Sequence, residues 1–257
     1  MDKLESCVSA SLDAEDQLFP LLPELFQDLD EIGVRVKHVE EILSHATLKE
    51  ADHILDLGCG KGSVARAISK NFGVSTLGLD AVQGFINEAR QKTPGTLNCQ
   101  FELADIRTWS RPIESPGFDL VCLLAMGAIF GPLPEKIQRL RDLVKPGAYM
   151  LFDDAYLDTD QDFDPEDFVD CFDYQTTRQL MTQYGDEIIA ELVIDMADDE
   201  DWYRESTERI MSRALQLAAK YPEAADELIE FGRRQCEDVA LLGGPVVGSL
   251  WLLRKSG

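Results

Sequence analysis

The sequence predicts an α/β fold, a parallel and doubly wound sheet with helices on both faces. Three observations lead to it. Short apolar runs alternate with helix-periodic stretches from about residue 51 onward, the pattern of strands joined by crossover helices. A glycine-spaced turn, Gly58-Cys59-Gly60-Lys61-Gly62, connects the first run to the first helical stretch. Acids stand at or near the ends of the first three runs, at Asp56, Asp80 and Asp105.

The elements follow in order. Ile54 to Leu57 is a strand, and Val64, Ala65 and Ile68 place the next stretch on a helix. Between them, glycines allow positive φ and a close approach of backbone to ligand, as the opening turn of a nucleotide-binding α/β domain requires. Ser75 to Asp80 is a second strand, and Phe85 to Lys92 a helix. Phe101 to Ile106 alternates as a third strand, and Phe118 to Leu124 is a buried fourth. Pro134 to Asp142 is helical, and Leu143 to Phe152 is a turn feeding a fifth strand.

The turn narrows the ligand. Its G-x-G-x-G spacing departs from the G-x-G-x-x-G dinucleotide fingerprint, and Lys61 is not followed by the Ser or Thr of a phosphate-binding loop. With Asp56 two residues before Gly58, the segment resembles motif I of the class I S-adenosylmethionine (SAM)-dependent methyltransferases. Leu143 to Ala148 is similar to that family's L-x-P-G-G segment, with Ala148 replacing the second glycine. The resemblance covers roughly residues 51 to 157. It implies a three-layer αβα, Rossmann-like fold with a seven-stranded, mostly parallel sheet whose seventh strand is antiparallel. It also implies SAM as cofactor, bound by Asp56, Gly58, Cys59, Gly60, Gly62, Asp80, Ala81, Asp105, Ile106 and Ala125. Asp80 would accept from the ribose diol, Asp105 would receive the adenine amine, and Ile106 would pack on the ring. Cys59 reads as a small packed residue, since no nearby histidine would activate it.

Composition excludes several classes. The six cysteines carry no C-x-x-C pair, so neither a metal knuckle nor a disulfide framework is expected; reduced thiols fit a cytoplasmic protein. No apolar run is long enough to span a membrane, and no signal peptide is read. Of the 24 net negative charges, 17 fall between Asp153 and Glu205. No basic patch offers itself to phosphates, so nucleic acid is not expected as a partner. The N/D-P-P-Y/F segment of base-modifying relatives is also missing where Leu124 to Gly131 stand.

The chain divides into an N-terminal helical cap segment (1–50), a SAM-binding core (51–157) and a part that completes the sheet with a helical cap insertion (158–257). In the first, Leu18, Phe19, Leu21, Leu22, Leu25, Phe26 and Leu29 form an apolar face, and Val36 to Leu43 a second helix. The acidic run from Asp158 lacks the glycine and glutamate of a calcium loop and reads as solvated. Thr176 to Tyr184 is helical, Glu187 to Met196 a sixth strand, and Val246 to Arg254 a seventh. Between the last two, Trp202 to Lys220 and Glu223 to Leu242 form two helices that resemble the caps of small-molecule methyltransferases.

The expected activity is methyl transfer from SAM to a small-molecule acceptor, by a monomer or homodimer. Candidate catalytic or positioning residues are Asp153, Asp154 and Tyr156 beyond strand five, at the sheet edge where open α/β folds bind ligands, with Trp202 and Tyr203 from the cap. The three histidines, His38, His45 and His53, receive no role. The regional acidity leads to the expectation of a cationic or amine-bearing acceptor. Two alternatives keep the fold: aminopropyl transfer, which would release methylthioadenosine, and a SAM-binding regulatory protein without turnover.

Overall fold

The computed structural model describes residues 3–11, 14–112, 114–158, 171–241 and 245–257. A seven-stranded sheet runs in the order β3-β2-β1-β4-β5-β7-β6. Its strands are β1 (His53–Leu57), β2 (Ser75–Asp80), β3 (Cys99–Leu103), β4 (Phe118–Leu123), β5 (Val144–Leu157), β6 (Glu187–Val193) and β7 (Val246–Arg254). The first five pair in parallel, and β7 is antiparallel to both β5 and β6. The order turns back between β1 and β4, which places a ligand crevice at the carboxyl ends of those strands.

The helices are α1 (Lys3–Ser11), α2 (Leu22–Leu25), α3 (Val36–Leu43), α4 (Ser63–Phe72), α5 (Gln83–Lys92), α6 (Leu133–Leu143), α7 (Tyr174–Thr182), α8 (Met196–Lys220) and α9 (Ala225–Leu241). Strand alternation separates two cores. Leu55, Leu57, Val121, Leu123, Met150, Phe152 and Trp251 pack with Ile137 and Leu140 of α6 and Met181 of α7. Ile54, Leu120, Cys122, Leu151 and Leu252 pack with Val39 and Ile42 of α3 and Val64 and Ile68 of α4. A third cluster joins Leu18, Leu22, Leu25 and Phe26 to Phe85 of α5, Ile210 and Leu217 of α8, and Leu228 and Phe231 of α9. The N-terminal segment and the α8–α9 pair thus share one core, with Phe26 edge-on to Phe85 and Phe231.

The seven-stranded, mostly parallel sheet and its antiparallel seventh strand agree with expectation; several boundaries do not. The third strand ends at Leu103. Ala104 N–H still reaches Asp80 O (2.9 Å), but Thr108 and Trp109 N–H turn back onto Asp105 O, so Asp105 and Ile106 lie in a turn. Strand five runs on to Leu157 because β7 pairs with it through Leu157 and Val246. Asp153, Asp154 and Tyr156 therefore lie within β5, not beyond it. Helix α8 begins six residues before Trp202, where Asp195 caps Ala197 N–H (2.8 Å), and this shortens β6. Pro20 and Pro23 split the N-terminal face into a 3-10 stretch, Asp16–Leu21, and the single turn of α2. Helix α1 was not anticipated. Of the acidic run compared with a calcium loop, all but Asp158 lies outside the described residues.

Candidate cofactor and acceptor clefts

The glycine turn after β1 is built by positive φ at Gly58, Gly60 and Gly62 (73°, 51° and 75°). Gly58 and Cys59 N–H donate to Leu79 O (2.8 and 2.9 Å), docking the turn against the end of β2. Gly60 N–H donates to Asp80 Oδ2 (2.9 Å), and Val82 N–H to Asp80 Oδ1 (2.8 Å). The roles of the glycines differ. A Cβ on Gly62 would sit 2.5 Å from Phe101, and one on Gly58 would collide with Met126. A Cβ on Gly60 would meet nothing closer than Ile32 Cδ1 at 3.9 Å, so space is kept there beside the backbone.

Asp56, Gly58, Cys59, Gly60, Asp80, Ala81, Asp105, Ile106 and Ala125 line one cleft, whereas Gly62 supports the turn from behind. Burial, with Asp80 close by, pushes Asp56 up to about 7; burial pushes Asp80 up to about 6 against the backbone donors that favour its carboxylate. Asp56 Oδ2 is buried without a hydrogen-bond partner. An orphaned acid, a second acid at the cleft and an open glycine cradle fit a cationic, ribose-bearing ligand. Asp105 is gripped by the Arg107 guanidinium (2.8 Å at each oxygen), which holds it below the usual carboxylate range. Leu4 and Val8 of α1, with Ile32 and Val34, line the same cleft.

A second cleft of about 660 Å³ adjoins it, with Val34 lining both. Asp153 stands at the junction. Its Oδ1 accepts Ala125 N–H (2.8 Å), and Ala125, at φ 55°, is the one non-glycine with positive φ among the described residues. Burial pushes the Asp153 carboxyl up. Lys136 of α6 is buried and donates to Asp154 Oδ2 (2.7 Å) and Asp153 O (3.3 Å). Thr177 is in the wall, 1% exposed, its hydroxyl buried without a partner. Arg35, His38 and Tyr203 complete the polar lining with Ser249.

Two candidates fall outside this cleft. Tyr156 shares the Asp154 face of β5 but packs against Tyr174 and Trp251 (4.8 and 6.3 Å between ring centres). Trp202 lies beneath the Arg35 guanidinium (5.5 Å), and its neighbour Tyr203 lines the cleft in its place. His38 was given no role, yet it lines the cleft, with Nε2 2.7 Å from Oδ2 of Asp199. Asp199 is 1% exposed and also pairs with Arg35 and with Lys37 (2.5 Å). Among the described residues, most of the regional acidity does not gather here. Asp198, Glu200, Asp201 and Glu205 are exposed, Asp186 pairs with Arg141, and Asp173 caps α7.

Sheet order, glycine turn and the two clefts at one sheet edge define the class I methyltransferase architecture. A methyltransferase-domain family model matches residues 54–147. Within residues 54–147 the chain thus matches the methyltransferase-domain family. A trans-aconitate 2-methyltransferase of Delftia acidovorans is 30% identical over 117 residues, 45% of this chain and 42% of that protein. That of Paracidovorax citrulli is 30% identical over 130 residues, 50% and 47% of the two chains. The chain thus spans less than half the length of these curated relatives. A SAM-dependent methyltransferase from Thiobacillus denitrificans, solved with S-adenosylhomocysteine, superposes with a TM-score of 0.74 at 14% identity, over 91% of this chain and 97% of that one. At that identity the likeness concerns the fold. No helix among the described residues is long and apolar enough to cross a membrane.

Proposed function

We propose that the chain is a methyltransferase that binds SAM in the first cleft and a small polar acceptor in the second. The observation that carries this reading is the junction at Asp153 and Ala125, which ties the wall of one cleft to the floor of the other. We further propose that residues 1–50 and the insertion within 158–257 serve as the cap over a core at 51–157. SAM, when bound, supplies an electrophilic methyl carbon on a sulfonium. The chain's own work is to hold the acceptor in line, exclude water and take up a proton the acceptor releases. Asp153 has the position for that proton, and burial brings its basicity toward neutral pH. Asp154, neutralised by Lys136, orients the acceptor.

The relatives' names do not transfer the acceptor. Arg35, His38, Asp153, Asp154, Thr177, Tyr203 and Ser249 all lie outside the matched domain at 54–147. The paired charges of this lining, and the outward placement of most described acids, favour an acceptor with hydroxyl or amine groups over one drawn in by net charge. Asp153→Asn keeps an oxygen for Ala125 N–H and removes the base. Transfer of the labelled SAM methyl is expected to slow about a hundredfold with SAM affinity retained. An unchanged rate with an acceptor that must lose a proton would remove Asp153 from the chemistry.

The cofactor assignment has its own test. Asp56 and Asp80, raised to about 7 and 6, ionise in the folded protein only as pH rises through that range. Their unfolded forms ionise near 3.8, so the folded state holds extra protons in between, and the unliganded fold loses stability as pH rises from about 4 to 7. The sign for SAM is opposite, because carboxylates balance the sulfonium and accept the ribose hydroxyls. Calorimetry is expected to find SAM affinity rising from pH 5 to 8. Asp80→Ala should lower affinity roughly tenfold or more and flatten the rise. A folded Asp80→Ala protein with unchanged affinity would refute the ribose role.

A further inference from the structure

We propose that His38 positions the methyl acceptor, its Nδ1 accepting a hydrogen bond from an N–H or O–H of that molecule, with Asp199 fixing the ring. The proposal rests on the reading of the second cleft as the acceptor site and names the substrate class: compounds that carry a hydrogen-bond donor, and not fully ionised carboxylates.

The argument starts from the buried carboxylate. Asp199 sits in the first turn of α8 and faces His38 Nε2 at 2.7 Å. A carboxylate oxygen brings no proton and two lone pairs 2.7 Å apart would repel, so Nε2 carries the proton, although it approaches Oδ2 off the line of a hydrogen bond. In a neutral imidazole the other nitrogen then presents a lone pair. The ring has reason to stay neutral, since Arg35 and Lys37 already supply Asp199 with two positive charges. The groups acting on it are Arg35, Lys37 and Glu41 of its own segment and Asp199 of α8; Tyr203 and Asp153 line the same cleft. Burial lowers the His38 pKa below 6.5, and Lys37 and Arg35 add to this against Asp199 and Glu41. Above that pKa, Nδ1 attracts a donor and repels a carboxylate oxygen. Below it, Nδ1 becomes a donor and the preference inverts.

The ring state is directly readable because the chain has three histidines, at 38, 45 and 53. In protein labelled with ¹⁵N-histidine, the resonance lost in His38→Asn is expected to report an unprotonated Nδ1 at pH 7.5 and to titrate below 6.5. An Nδ1–H tautomer, or titration above 7, overturns the proposal. Transfer from methyl-labelled SAM is then measured with phosphoethanolamine (an amine), catechol (a phenol) and trans-aconitate (no donor when ionised). Transfer is expected only to a donor-bearing probe, with KM rising as pH falls through the His38 pKa. His38→Ala should raise that KM roughly tenfold, about the loss of one hydrogen bond, with a smaller change in kcat. His38→Asn places an oxygen near the Nδ1 position and should restore KM and abolish its pH dependence. Asp199→Asn offers Nε2 a donor, moves the proton to Nδ1 and should raise KM as His38→Ala does. Efficient methylation of trans-aconitate, or an unaltered KM in folded His38→Ala, overturns the proposal. SAM bound calorimetrically with no transfer to any probe instead counts against the functional reading, while the nitrogen spectrum separately decides His38.

Discussion

Replacing Lys61 by methionine is expected to destabilise the fold by about 2–6 kcal/mol, the cost of leaving two buried carbonyls without their donor at roughly 1–3 kcal/mol each. Lys61 stands in the glycine turn and is 1% exposed. Its ammonium donates to the carbonyls of Phe26 and Leu29 (2.8 Å each) and pairs with Glu88 of α5 (2.9 Å). All three protons are thus used, and the N-terminal segment is fastened to the turn that shapes the first cleft. Methionine fills a similar volume and leaves two carbonyls without their donor. Glu88 keeps Lys92 (2.7 Å), so the loss lies mainly in the desolvated carbonyls and the seating of the segment. Denaturant titration measures the loss, and SAM affinity should fall with it because the turn loses its anchor. A midpoint within about 0.5 kcal/mol of wild type, the ordinary range of a surface substitution, would show that the contact holds nothing together.

Lys61 also marks the limit of what the sequence makes legible. A lysine in a glycine turn reads as solvated or phosphate-bound, and its carbonyl partners lie more than 30 residues earlier. The sheet was legible because its strands are continuous apolar runs bounded by turn residues; β7 was located to the residue, from Val246 to Arg254. Strand β3 was misplaced because it is an edge. Leu103 is 50% exposed there, so apolar character no longer reports burial. The first cleft was readable because one local turn and the ends of neighbouring parallel strands build it. The second is assembled from α3, α6, β5, α7, α8 and β7, and no local pattern signals it. His38 looks like one residue of an amphipathic helix, and Lys136 like a solvated helical lysine although it is 7% exposed. Asp199 lies in the acidic stretch Asp198 to Asp201, where its neighbours face water and it is buried. A signal for that pairing was present only as the basic cluster Arg35-Val36-Lys37-His38 in an otherwise acidic chain.

Gly60→Val is expected to cut SAM affinity by about a hundredfold or more, roughly 3 kcal/mol, while Gly62→Ala should mainly cost stability. The contrast separates a ligand cradle from a packing glycine. At Gly62 the first added carbon meets Phe101 at 2.5 Å and Ala89 Cβ at 3.1 Å, so the helix α4 entry must shift before any ligand arrives. At Gly60 the nearest protein atom to an added Cβ is 3.9 Å away, so the protein has space for the carbon, and on the proposed assignment the displaced volume is the ligand's. Valine adds two methyl groups there, beside a backbone amide that Asp80 holds at 2.9 Å. The positive φ of 51° adds a backbone penalty of about 1–2 kcal/mol for any residue with a Cβ, greater for a β-branched one. That penalty falls on stability in both variants and therefore cancels from the comparison of affinities. Gly60→Ala carries the same backbone cost with one carbon and should lose affinity by an intermediate amount. Paired denaturation and calorimetry on the three variants decide the matter. If Gly60→Val folds and binds SAM as wild type does, the space beside Gly60 is not the cofactor's, and the assignment of the first cleft fails with it.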